Sequence, residues 1–279
     1  RNGGYVLASE TCALDLVQAQ YLRDVEPGEV VLIDRDGLHS ERPFPKAKPS
    51  FCIFEYIYFA RPDSNIFGEN VYLIRKKLGA RLAEESPADV DFVMPIPDSG
   101  NSAALGFAEH LRLPFEMGMI RNHYVGRTFI QPSQSVRDFG VKIKLNPVRD
   151  LLRGKKVVVV EDSIVRGTTS RTRIRALRDA GVKEVHMRVS CPPHRFPCHY
   201  GIDFPTRQEL IGSSRTVEQI REYIGLDSLA YLSTEGMVGA MPQPDDSFCL
   251  ACFTGKYPVS FSSKVSKFSL EAKTSANGK

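Results

Sequence analysis

The chain predicts an α/β fold: a parallel sheet flanked by helices. Three observations carry that expectation. Residues 157–170 read Val-Val-Val-Val-Glu-Asp-Ser-Ile-Val-Arg-Gly-Thr-Thr-Ser. Four β-branched residues in a row suit a strand buried on both faces, the pattern of parallel sheets. A helical segment follows the loop, with Ile174 and Leu177 on one face and Gly181 as its stop. Next, Asp91-Phe-Val-Met-Pro-Ile-Pro-Asp98 is a second short apolar strand, leading into a helix that starts around Ser99 and Asn101 and is rich in Ala103, Ala104, Leu105 and Ala108. Finally, Val185–Ser190 supplies a further strand after the 172–181 helix. Strands that alternate with helices form parallel sheets.

The remaining elements follow in chain order. Short strand-like pieces, Tyr5–Ala8 and Val30–Ile33, surround an expected helix near 11–22, and Asp34-Arg-Asp-Gly37 is a turn signal. Residues 43–50, Pro-Phe-Pro-Lys-Ala-Lys-Pro-Ser, read as a linker and a domain boundary. Phe51–Phe59 is so dense in aromatic and β-branched residues that it reads as a strand, and a helix near 69–86 carries Val71, Ile74, Leu78 and Leu82 on one stripe. Residues 206–240 read as helical, with Val217, Ile220 and Ile224 in register, and the Ser/Lys-rich tail from 259 reads as disordered. No internal repeat is present.

Composition excludes several classes. Net charge is +4, from 37 Lys/Arg against 33 Asp/Glu, too mild and too dispersed to argue for nucleic acid. No apolar run approaches 18 residues, so no membrane span is expected. Neither a signal peptide nor a glycosylation sequon is apparent, which reads as cytoplasmic, and the start at Arg1 reads as a fragment or processed chain.

The segment at 157–170 also carries the chemistry. A strand that enters a helix through a Gly/Thr/Ser loop is an anion site, because loop amides and the helix dipole face the ligand. Thr168, Thr169 and Ser170 add hydroxyl donors, while Glu161 and Asp162 suit sugar hydroxyls or an oxygen-bound Mg²⁺. No Gly-x-x-x-x-Gly-Lys-[Ser/Thr] loop and no Gly-x-Gly-x-x-Gly after a strand occurs. Ligands of parallel sheets sit at strand carboxyl ends, which brings Ser99 into play beside the acids, although its position reads first as a helix N-cap. Residues 121–149 hold six Lys/Arg against the single acid Asp138 and read as a functional lid.

Six cysteines sit at 12, 52, 191, 198, 249 and 252. Cys249-Leu-Ala-Cys252 with Cys52 and Cys198 suits a [4Fe–4S] cluster or structural zinc equally. A rival zinc set is Cys191, His194, Cys198 and His199, while Cys12 and Cys191 otherwise read as buried core thiols.

The string at 157–170 resembles the phosphoribosyl pyrophosphate (PRPP) signature of type I phosphoribosyltransferases. That resemblance implies that Glu161 and Asp162 face the ribose hydroxyls and metal, and that Ser163 and Arg166, Gly167, Thr168, Thr169 and Ser170 hold the rest of the substrate and its 5′-phosphate. Longer strings narrow it: Phe54-Glu-Tyr-Ile-Tyr-Phe-Ala-Arg-Pro-Asp-Ser64, Asn122-His-Tyr-Val-Gly-Arg-Thr-Phe-Ile-Gln-Pro132 and Tyr200-Gly-Ile-Asp203. Over roughly residues 5–258 the chain is similar to the amidophosphoribosyltransferase family, in its iron–sulfur subgroup. The family joins an N-terminal-nucleophile glutaminase to a phosphoribosyltransferase. It converts PRPP and ammonia from glutamine into 5-phosphoribosylamine, with pyrophosphate released, at the start of purine synthesis.

The resemblance implies residues 1–42 as the end of the glutaminase domain, without its nucleophile, and 43–258 as the phosphoribosyltransferase domain, before a tail at 259–279. It implies Mg²⁺ on Ser99, Glu161 and Asp162, and a [4Fe–4S] cluster on Cys52, Cys198, Cys249 and Cys252. Arg121, Tyr124 and Arg127 become candidate lid residues over the reacting carbon. Purine nucleotides are implied as feedback inhibitors, and a tetramer or dimer as the assembly. A nucleobase phosphoribosyltransferase or a PRPP-sensing regulator on the same fold are the rival readings. The strings at 54–64 and 122–132 argue against the first, and the lack of a recognisable DNA-reading helix argues against the second.

Overall fold

A computed structural model of the chain describes residues 4–122, 145–204 and 206–260. At its centre lie four parallel strands: β1 (Phe92–Pro95), β2 (Lys156–Glu161), β3 (Glu184–Val189) and β4 (Ser228–Tyr231), in the spatial order β4-β3-β2-β1. Val158 of β2 stands opposite Val93 on one side and His186 on the other. That interior place explains the valine run, since Val157 to Val160 are all buried completely.

Four longer helices accompany the sheet: α1 (Val71–Glu85), α2 (Asn101–Leu111), α3 (Thr168–Asp179) and α4 (Val217–Ile224). Val71, Ile74, Leu78 and Leu82 all lie buried on α1, as their spacing predicts. Helices α1 and α2 approach closely through glycines. A Cβ on Gly79 would fall 1.9 Å from the Ala103 carbonyl oxygen, and one on Gly106 would fall 2.0 Å from that of Lys76. Helix α4 opens on a capping box between Thr216 and Gln219 and closes on Gly225, whose φ of +89° is the left-handed stop glycine favours.

Four expected elements differ. Phe51–Phe59 is not a strand. Only Phe51–Cys52 pairs, in parallel with Phe248–Cys249, and Glu55–Phe59 coils into one π-helical turn. The buried positions 53, 54, 56, 57 and 60 recur at helical rather than alternate spacing. Arg75 of α1, itself buried, holds this turn by donating to the carbonyl oxygens of Tyr56 (2.7 Å) and Ala60 (2.8 Å). Within 206–240 the chain is helical only in pieces, and Ser228–Tyr231 becomes the edge strand β4 against β3. Four half-buried residues are too few to show a period of two, so the neighbouring strand decides them.

At the amino end the helix is shorter than expected, Thr11–Leu16, and Tyr5–Ala8 forms no strand. Val30–Asp34 pairs antiparallel with Gly37–Glu41 around the turn seen in the sequence. This segment is tied to residues 61–65: the Glu10 carboxylate accepts from the Arg61 amide (2.9 Å) and the Ser64 hydroxyl (2.7 Å), and the Thr11 hydroxyl oxygen accepts from the Asn65 amide. Its apolar residues are nonetheless open, with Leu7, Leu16, Leu22 and Leu32 between 59 and 78% exposed.

The ends of the basic loop meet in a short antiparallel pair, Met119–Arg121 with Leu145–Pro147. Tyr124, Arg127 and the tail beyond residue 260 lie outside the described residues. No described helix is long and apolar enough to cross a membrane.

Gly79→Ala should lower stability by about 1–3 kcal/mol or more, because the added methyl has only backbone to displace. The urea midpoint should fall with an unchanged denaturant slope. An unchanged midpoint would show that α1 and α2 separate freely.

Candidate active site

The carboxyl ends of β1 and β2 form one polar corner. Strand β2 runs into Glu161 and Asp162, both 4% exposed. On α3, Arg173 Nη1 reaches both Glu161 oxygens, at 3.1 and 3.0 Å. Hydroxyls of Ser163 and Ser99 donate to the Asp162 carboxylate. Arg75 lies near enough for its charge to favour that carboxylate as well. Burial works against both acids: it pushes Glu161 up to about 8 despite Arg173, and moves Asp162 upward against Ser163, Ser99 and the two guanidiniums.

Ser99 is therefore not the helix N-cap its position suggested. Gly100 takes that place and no side chain caps α2, which leaves the Ser99 hydroxyl for Asp162. The glycine is required, because a Cβ there would lie 2.5 Å from the Val160 carbonyl oxygen. Just before it the Pro97–Asp98 peptide is cis, and Asp98 pairs with Arg121.

The anion loop lies next along the chain. Gly167 has φ +76°, and α3 begins immediately at Thr168, four residues earlier than the apolar spacing indicated, with no side chain on its first amides. Free amides at the start of a twelve-residue helix favour a bound anion. Thr168 and Thr169 are exposed beside them, while Ser170 is buried. Arg166 points elsewhere, to Glu209 at 2.9 Å.

Residues 68–196 match the phosphoribosyl transferase domain family. The amidophosphoribosyltransferase of Synechococcus elongatus is 53% identical over 270 residues, covering 97% of this chain and 55% of the relative. The Bacillus subtilis amidophosphoribosyltransferase is 56% identical over 259 residues, covering 91% of this chain and 54% of its own length. The chain is a homologue of the amidophosphoribosyltransferases. Its structure resembles that of the B. subtilis glutamine PRPP amidotransferase complexed with ADP and GMP, with a TM-score of 0.85 at 53% identity over 92% of this chain and 58% of the other. The chain thus spans about half the length of the relatives it matches.

The amidophosphoribosyltransferase resemblance singled out four cysteines from three segments. Cys249 stands opposite Cys52 in the short parallel pair, and the Cys198 sulfur accepts from the Tyr200 amide at 3.3 Å. Cys252 feels the charges of Cys52, Cys249 and Cys198. Burial pushes Cys52 up to about 11 and raises Cys249 and Cys252 too. Among the described residues no three His, Cys, Asp or Glu side chains converge as a group that could hold a metal ion. Neither the four cysteines nor the rival zinc set of Cys191, His194, Cys198 and His199 forms such a group. His194 instead sits in a cage of Phe54, Phe204 and Phe253, with both ring nitrogens unbonded and its pKa pushed down to about 3 by burial. Cys12 and Cys191 are buried thiols, as expected.

Arg173 and Arg75, near the acids, were not singled out in the sequence, and Cys191 was read there only as a core thiol or zinc ligand. Arg173 faces inward across the α3–β2 contact, a pairing with no local signature. Cys191 follows β3 and feels the charge of Asp162. Arg75 had a signal: it is a charged residue at helical spacing from Val71, Leu78 and Leu82, on the buried face of α1.

The raised Glu161 gives a pH dependence. An acid whose folded pKa lies above its ordinary value adds stability below that ordinary value, near 4.3, and loses it as pH climbs towards about 8. Urea unfolding without divalent cations should therefore weaken over that range by up to about 1.4 kcal/mol per pH unit from this group. Glu161→Gln should flatten the slope, and equal slopes in both proteins would refute it.

Proposed function

We propose that this chain carries the phosphoribosyl-transfer centre of an amidophosphoribosyltransferase. In that reaction ammonia derived from glutamine displaces pyrophosphate from C1 of PRPP and leaves 5-phosphoribosylamine, the first step of purine biosynthesis. One observation supports the reading above all: a buried acid pair lies at the end of β2, with the uncapped start of α3 at Thr168 six residues after Asp162. The amides and hydroxyls of Gly167–Ser170 would grip the 5′-phosphate, and Glu161 and Asp162 would accept from the ribose hydroxyls. Binding at both ends fixes C1, where positive charge develops as pyrophosphate departs. Arg121, Tyr124 and Arg127 are proposed to cover that carbon and exclude water.

The donor set at Ser99, Glu161 and Asp162 is all oxygen, and both acids are buried against their charge, so Mg²⁺ fits there. When bound it would offset charge on the leaving pyrophosphate. The four cysteines feel one another's charge, and by the family resemblance we read them as ligands of a [4Fe–4S] cluster rather than of one zinc ion. We read it as a structural tie between the segments at 52, 198 and 249–252.

Residues 1–42 are proposed to end a glutaminase domain. Their open leucines favour this, since such a set normally packs against further chain. On that reading 43–258 is the transferase domain and 259–279 a tail. Purine nucleotides are proposed inhibitors, in keeping with the ADP and GMP named for the B. subtilis structure. A homo-oligomer, tetramer or dimer, is expected. Six cysteines outside any disulfide suit a reducing compartment, by our reading the cytoplasm, although relatives from Arabidopsis thaliana are named chloroplastic.

Pyrophosphate release from PRPP and ammonia should be measurable, and Asp162→Asn should reduce it by about a hundredfold or more. Equal rates would remove the acid pair from the mechanism, and turnover with a nucleobase in place of ammonia would favour the nucleobase enzyme. Anaerobically purified protein should contain iron and acid-labile sulfide, about four of each per chain. Zinc in their place would overturn the cluster.

A further inference from the structure

We propose that the cleft between the loop at 195–196 and the segment 207–216 is a second anion site, built for a small molecule that carries phosphate groups. The cleft encloses about 570 Å³. Arg195, Arg207 and Arg215 line it, together with Ser213, Ser214, Thr216, Thr254, Phe196 and Phe253. No carboxylate does.

The neighbouring acids are committed elsewhere. Glu209 is held by Arg166 and by the amide and hydroxyl of Thr206, and Glu218 is held by Arg221. Glu222 lines an adjoining hollow that Ser214, Arg215 and Tyr223 share, with a carboxylate oxygen 3.7 Å from the Arg221 guanidinium. Three arginines thus line one concave surface with no acid among its lining residues, which favours an anion there. Guanidinium planes bind phosphate oxygens in pairs, which makes arginine well suited to a phosphate ester.

The walls are held in place. The Arg207 guanidinium lies 4.6 Å from the centre of the Phe196 ring, and that of Arg215 lies 4.5 Å from the centre of Tyr223. Amides of Arg195 and Phe196 both donate to the Cys252 carbonyl oxygen, at 2.9 and 3.1 Å. On the opposite wall Gly212 approaches so closely that a Cβ would lie 2.7 Å from the His194 carbonyl oxygen. Cations fixed in advance lose little freedom when a ligand arrives.

The cleft is separate from the loop at 167–170, with which it shares no lining residue. Tyr223 links the two. Its ring carries Arg215 on the cleft side and Arg171 of α3 at 5.0 Å. The volume exceeds what a single phosphate fills, which favours a diphosphate or a phosphorylated organic molecule.

Calorimetric titration with inorganic pyrophosphate, at low salt and without magnesium, tests the site directly. The chain should show two classes of binding. Substitution of Arg207→Gln together with Arg215→Gln, both exposed, should weaken one class at least tenfold and leave the other. Arg195→Gln alone should weaken the same class. Thr168→Val together with Thr169→Val, both exposed and absent from the cleft lining, should weaken the other class and spare the cleft, so failure at the cleft and failure of the proposed substrate loop are distinguishable. No binding, a single class weakened by the threonine pair, or an arginine double variant with unchanged binding would each overturn the proposal.

Discussion

Two carboxylates at the buried end of an interior strand are the constraint on which the site depends. Strand β2 has a neighbour on both edges, so Glu161 and Asp162 emerge where water is already excluded. Charge at such a place is unfavourable unless partners arrive from other elements. They come from α3 as Arg173, from α1 as Arg75, from the β1 loop as Ser99 and from Ser163 next door. Each is positioned by the sheet and its helices, so the fold and the acid pair are one arrangement.

That arrangement needs close backbone approaches. Gly100 lets the β1 loop lie against the end of β2, and Gly79 and Gly106 let α1 sink onto α2 and carry Arg75 inward. Arg75 then serves two purposes at once. It fills the carbonyl oxygens of the 55–60 turn and places a positive charge near Asp162. A residue that ties a local turn to a charged centre cannot be exchanged for an apolar one without leaving both uncompensated.

The cysteine region follows a similar logic with weaker constraints. Phe51–Cys52 pairs with Phe248–Cys249, and the loop after His194 hangs on Cys252 through two amide bonds. Three distant segments are thereby gathered without any thiol bond. The same two amide bonds fix one wall of the arginine cleft, so the cysteine segments and the cleft are held by common backbone contacts.

Much of this was legible in the sequence. The valine run, the paired acids, the Gly-Thr-Thr-Ser loop and the stripe of α1 are local patterns, set by side-chain branching, periodicity and glycine. These determined the α/β class and the candidate substrate residues. What could not be read locally was settled by tertiary contact. An aromatic run became a π-helical turn because a buried arginine satisfied its carbonyls, and Ser228–Tyr231 became a strand because β3 offered an edge. Ser99 turned from a helix end towards Asp162, and Arg166 turned from the anion loop towards Glu209. The physical reason is common to all four: short segments have nearly balanced local preferences, and a hydrogen-bond partner from far along the chain tips the balance.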